Sequence, residues 1–178
     1  IRAIKKFNVH PILAQQSVRE NGQTGRNFNE VIRDAAWSVF QENYQKGYGA
    51  DGDHLKSLHE VKNALDAGVS MVTLDLSEKL NFQTYLSSVE EVDQTFKEEI
   101  NEGDAEVIFH LFLGKTFSFQ GPHGELSIQF DNESVKRNTL LFHRAIDFTE
   151  GVYEWIRSKR KNQTPVDLEV SIDKTPFP

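Results

Sequence analysis

A histidine and several carboxylates stand where strands of an α/β fold would end. The segments are Ala14–Glu20, Gly49–Lys56, Val72–Ser77 and Val166–Asp173. Within them Asp75 and Glu169 fall on the polar side of alternating runs, and His54 follows Asp53 directly. An unpaired carboxylate on the inner face of a strand is costly to bury. These positions therefore need a metal, a polar substrate or a basic partner. An imidazole combined with carboxylates is a common ligand set for a divalent cation. His54 and Glu169 are the best such pair, with Asp75 and Asp53 behind them. No HxH or HExxH spacing is present. The same residues also read as structure: His54 as a loop or hydrogen-bonded core histidine, Glu169 as an ion-pair partner of Lys56 or Arg19. Asp173 reads as a turn or cap residue, and His110, His123 and His143 as non-catalytic. Gly47, Gly49 and Gly52 do not have phosphate-loop spacing.

Strands alternating with helices are needed to position these groups. Ile12–Ala14 reads as a short buried strand, followed by a turn-rich stretch with Gly22 and Gly25. A helix is predicted from about Asn27 to Lys46, with Asn27 as N-cap, Glu30 three residues on, and Gly47 as the stop. Phe28, Val31, Ile32, Ala35 and Val39 form its apolar stripe. Tyr48 to Leu55 is a glycine-broken strand. Ser57 and Glu60 form a capping box for a helix ending at Gly68. Ser70 to Leu76 is a strand with Thr73, Asp75 and Ser77 on one face.

Residues 78–130 interrupt this alternation. Ser88 to Ile100 reads as a helix, while Glu106–Phe112, Lys115–Phe119 and Leu126–Phe130 read as strands. The phenylalanines of this stretch read as a packing cluster, and the whole as an inserted, hairpin-bearing α+β segment. A long helix from about Asn132 to Lys161 follows, then a strand from Val166 to Ile172. Four strands separated by helical crossovers argue for α/β with a parallel sheet. A closed barrel needs eight strands and typically ~250 residues, so the sheet is either open or part of a longer barrel.

The chain has 178 residues and a formal net charge of −7. That balance argues against a nucleic-acid partner, which would want a basic face. The dense basic cluster Arg157, Lys159, Arg160 and Lys161 reads as a helix end, where cations offset the macrodipole. No cysteine is present, which removes disulfides, thiolate ligands and a cysteine nucleophile, and is compatible with the cytoplasm. No apolar run approaches the ~20 residues of a membrane span.

Several stretches resemble the tagaturonate epimerase family. They are Pro11–Glu20, Ala36–Glu42, Gly49–Lys56, Val72–Asp75, Gly114–Phe117 and Asp167–Asp173, in the family's order. Gly52 stands where the family's pattern has Ala. The resemblance implies part of a TIM-like (β/α) barrel, here one partial barrel domain with an insertion at about 78–130 and the remainder beyond residue 178. It implies a metal-dependent epimerase that interconverts D-tagaturonate and D-fructuronate by C4 inversion in hexuronate catabolism. The cofactor would be a divalent cation, with zinc, manganese, nickel and cobalt all suitable. On this reading His54 and Glu169 are metal ligands, Glu20 the acid–base group, and Asp75 a second proton carrier or a further ligand. Arg19 and Lys56 suit a substrate carboxylate or enediolate, and Gln16, Ser17 and Thr73 suit substrate hydroxyls. The expected partner is a small sugar acid, with neither nucleic acid nor membrane, and a homo-oligomer left open. Two alternatives remain: another metal-dependent barrel isomerase or aldolase acting on sugar acids, and a non-catalytic α/β domain whose inner carboxylates are all paired to Lys or Arg.

Overall fold

The computed structural model describes residues 1–159 and 164–172. Its regular elements run β1 (Ile12–Ser17), α1 (Val18–Thr24), α2 (Phe28–Gln41), β2 (Gly49–Leu55), α3 (Leu58–Ala67), β3 (Met71–Asp75), α4 (Val89–Glu99), α5 (Glu102–Phe112), β4 (Thr116–Gly121), β5 (Gly124–Gln129), α6 (Asn132–Lys159) and β6 (Asp167–Ser171). The chain divides into two compact units, residues 1–78 with 148–178, and residues 79–147.

The first unit is built on a mixed α/β plan. Four parallel strands lie in the order β1-β2-β3-β6. Leu55, Val61, Ala64, Val72 and Leu74 are buried, joining one sheet face to α3. Gly52 makes that approach close: a Cβ there would lie 2.9 Å from the Ala64 Cβ. The opposite face carries Thr73 and Asp75, as alternation requires. Both are buried as well.

Side-chain capping sets most helix starts in this unit. Asn27 with Glu30 caps α2, and Ser57 with Glu60 caps α3, with Gly68 at φ 100° closing the latter. Two expectations are corrected. The turn-rich stretch after β1 is the helix α1, because Ser17 and Glu20 form a third capping box and Gly25 supplies a left-handed stop. The predicted helix to Lys46 ends at Gln41, because Asn43 turns left-handed (φ 46°) and the chain folds back to bury Tyr44.

The second unit packs Val92, Phe96 and Leu140 into a small core, with Ile100, Ala105 and Phe109 against it. Here the expected strand Glu106–Phe112 is helical. Asn101 caps α5 by accepting from the Asp104 N–H, and Phe109 meets Phe96 at 5.6 Å between ring centroids. Both hairpin strands are present as β4 and β5, antiparallel, with Phe117 against Phe112 and Phe130.

Arg157 and Lys159 lie in the last turn of α6, whereas Arg160, Lys161 and Asp173 fall outside the described residues. Among the described residues, no helix is long and apolar enough to cross a membrane.

Candidate active site on the polar face of the sheet

Strand β2 breaks its own alternation near its end. His54 has a φ of 52°, a left-handed value that is uncommon for a residue other than glycine. The β2–β3 register shifts between Gly52 and Leu55, which marks a bulge. Alternation keeps Asp51 and Asp53 on the Thr73 side, while Leu55 turns into the core opposite Leu74. His54 Nδ1 lies 2.7 Å from Asp53 Oδ1. Ser17 is opposite Asp53 in the β1–β2 register, so the ends of these two strands share a neighbourhood.

In that neighbourhood Glu20 is the N3 residue of the α1 capping box. Its Oε2 accepts from the Ser17 N–H at 2.9 Å and from the Ser17 hydroxyl at 3.1 Å. The Ser17 backbone contact, then its hydroxyl, then Arg19 and His54, hold the Glu20 carboxyl below the usual range against a smaller effect of burial. Ser17 is itself buried, and its oxygen accepts from the Glu20 N–H. Gln16 donates to the Thr24 hydroxyl at 3.5 Å. Arg19 is exposed on the first turn of α1.

A second grouping crosses three neighbouring strands. The Thr73 hydroxyl on β3 lies 3.3 and 3.4 Å from the two Asp51 oxygens on β2, and 3.4 Å from Glu169 Oε2 on β6. Asp51 is 5% exposed and Thr73 3%, whereas Glu169 is exposed on β6. Burial, and next the Asp53 carboxylate, push the Asp51 carboxyl up to about 6. Glu169 adds to that rise, and Thr73 and His54 oppose it.

The third grouping closes the end of β3. Asp75 is 1% exposed and accepts from the Ser77 N–H at 3.0 Å and the Ser77 hydroxyl at 2.5 Å. Lys56 Nζ stands 3.9 Å from Asp75 Oδ2 and also pairs with Glu78. The Glu78 contact raises the lysine pKa.

The expected site residues thus fall into three sets on one sheet. Ser17, Glu20 and His54 share the β1–β2 end; Thr73 and Glu169 meet; Asp75 and Lys56 meet. In these placements Thr73 links two carboxylates, Asp75 is tied to Ser77 beside Lys56, and Lys56 also pairs with Glu78. Among the described residues Lys56 pairs with Asp75 and Glu78, while Glu169 meets Thr73. Among the described residues, no three His, Asp or Glu side chains come close enough to hold a metal ion, so His54 and Glu169 do not complete a centre by themselves. Asp51 was missed by the sequence reading. The period-two spacing of Asp51 and Asp53 was the available signal, since it places both carboxylates on one strand face.

Known proteins resemble this chain in sequence and in fold. A family model described as tagaturonate epimerase matches residues 1–178. The tagaturonate/fructuronate epimerase of Thermotoga maritima is 37% identical over 179 residues, covering 100% of this chain and 35% of that protein. A crystal structure of the fructuronate-tagaturonate epimerase of Cohnella laeviribosi, with one glycerol, superposes with a TM-score of 0.83 at 40% identity. Its native form gives 0.80 at 39% identity. Each solved structure covers 99% of this chain, which spans 35% of theirs.

Proposed function

We propose, from a chain that belongs to the tagaturonate epimerase family, that the protein it is part of interconverts D-tagaturonate and D-fructuronate by inverting C4. The observation that carries this reading is the row Asp51–Thr73–Glu169, where carboxyl groups face one another with a hydroxyl between them rather than a lysine or arginine. A purely structural domain would pair its inner acids with cations, as Asp75 is paired with Lys56. Setting a buried acid, Asp51, beside further carboxylates raises the free energy of the sheet, and such arrangements cluster at functional sites.

The parallel order β1-β2-β3-β6 supports a TIM-like barrel, in which the C-terminal strand ends carry the chemistry. His54, Glu20 and Asp75 lie at or just beyond such ends.

The donor set fits a divalent cation in kind. The Asp53 carboxylate holds His54 Nδ1, the arrangement that orients a ligating imidazole through its other nitrogen. His54 and Glu169 would hold the ion, with further ligands drawn from the length of the relatives that this chain does not cover. When bound, the ion would act as a Lewis acid toward the substrate's carbonyl and hydroxyl oxygens.

The chain's own groups divide the remaining work. Arg19 offers an exposed guanidinium to the substrate carboxylate. Glu20, whose carboxyl the Ser17 contacts hold below the usual range, stands just beyond the end of β1 as the acid–base group. Inversion next to a carbonyl needs deprotonation and reprotonation, and inversion one carbon further needs retro-aldol cleavage and re-addition. Both need a base at the reacting carbon or hydroxyl. Substrate profiling tests this reading. Interconversion of tagaturonate and fructuronate, with no free triose products, supports it. Ketose–aldose isomerisation or net cleavage would replace it with a sugar-acid isomerase or aldolase.

A further inference from the structure

We infer that Thr73 is a positioning residue: its hydroxyl, held between the carboxyls of Asp51 and Glu169, fixes the Glu169 side chain on the polar face of the sheet. The inference deepens the epimerase reading and rests on it for its kinetic arm.

A threonine hydroxyl has one hydrogen to give and two lone pairs to receive. Two carboxyl groups lie within reach of it, so one hydrogen cannot serve both at once. The hydroxyl stands between the strands as a shared donor, 3.3 Å from Asp51 Oδ1 on β2 and 3.4 Å from Glu169 Oε2 on β6, and so draws the Glu169 carboxylate toward β3.

Local structure favours this use. Thr73 is 3% exposed, so its hydroxyl has no access to bulk water. Its β-branched side chain is stiff at χ1, and it is locked between paired strands, with Glu169 its register partner. Glu169 is the reverse: a long side chain, exposed on β6. Thr73 is the hydrogen-bond donor that ties its carboxylate to the interior of the sheet.

The test uses the intact protein that carries this chain, with Thr73→Val and Thr73→Ser. Mn²⁺ binding is read by calorimetric titration, epimerisation by kcat and KM, and folding by near-UV circular dichroism. In Thr73→Val we expect Mn²⁺ affinity and kcat each to fall about 10–100-fold, the scale for removing a residue that orients a ligand. KM should move less than about threefold, and Thr73→Ser should recover most of both losses. A rise in KM with kcat preserved would mean that Thr73 touches substrate, and overturns the inference. So would unchanged affinity and kcat.

Where Thr73→Val does not fold, Thr73→Ala decides. It removes the same hydroxyl without adding a methyl, so it should lose at least about tenfold more kcat or affinity than Thr73→Ser. Equal losses in the two overturn the inference. Wild-type protein that binds Mn²⁺ without epimerising removes the epimerase reading and leaves the affinity arm to judge Thr73. Wild-type protein that does neither overturns both.

Discussion

The two compact units handle charge in opposite ways. In residues 79–147 the core is Val92, Phe96 and Leu140, and acids meet bases outside it: Lys136 with Asp93, Arg137 with Glu133, Arg144 and His143 with Glu99. In the sheet-bearing unit two carboxylates, Asp51 and Asp75, lie inside. One of them has a lysine and a serine to meet it, and the other has a threonine and two further acids. The apolar core gains stability from every buried group. The sheet gives some of it up, and a fold keeps such a cost where chemistry needs it.

Breaking the apolar core should give the largest effect. Phe96→Ala removes a ring that is 4% exposed and packed on Phe109. It should cost about 3–5 kcal/mol, read as a shift in denaturant midpoint at unchanged m. Loss well under about 1 kcal/mol would mean that this unit's core matters less than its burial implies.

Next in size is a pH effect centred on Asp51. Its folded pKa is raised from 3.8 to about 6 by burial and Asp53, with Glu169 adding and His54 opposing. A raised folded pKa favours the folded state below the unfolded value, and that contribution is lost as pH climbs through the folded one. Wild type should therefore lose stability relative to Asp51→Asn between about pH 4 and 6. The difference should be on the order of 1–3 kcal/mol, seen in paired denaturation curves across that range. Parallel curves would place the Asp51 carboxyl at an ordinary pKa and weaken the contrast between the units.

The smallest effect belongs to the capping box at the end of β1. Ser17→Ala removes the oxygen that accepts from the Glu20 N–H, and should cost about 0.5–2 kcal/mol in thermal denaturation. It should also raise the Glu20 pKa, because the Ser17 hydroxyl helps hold it down. An unshifted Glu20 titration by NMR would show that the backbone contact alone sets it.

Local signals were legible in the sequence where one segment contains the whole argument. The boxes Asn27/Glu30 and Ser57/Glu60 marked their helix starts, and β3 and β6 announced themselves by alternation. The box at Ser17 and Glu20 has the same chemistry, yet the glycines after it read as turns and hid α1. In α5 the apolar run Val107–Phe109 looked like a strand, and the Asn101 cap outweighs it. Site contacts were less legible because they run sideways. Thr73 reaches Asp51 across 22 positions and Glu169 across 96, and no local spacing encodes either contact. The left-handed turn at His54 is equally hidden, since histidine's modest preference for positive φ does not by itself mark a bulge inside a strand. The stretches 11–20, 36–42, 49–56, 72–75, 114–117 and 167–173, taken in order, nevertheless point to the family to which the chain belongs.

The most direct measurement of the central claim is conversion of tagaturonate to fructuronate by the intact protein, with a chelator and after return of a divalent cation. We predict conversion that stops on chelation and resumes with metal. A folded, metal-loaded protein that leaves tagaturonate unchanged would contradict the proposed substrate, and conversion indifferent to chelation would contradict the assignment of His54 and Glu169 as metal ligands.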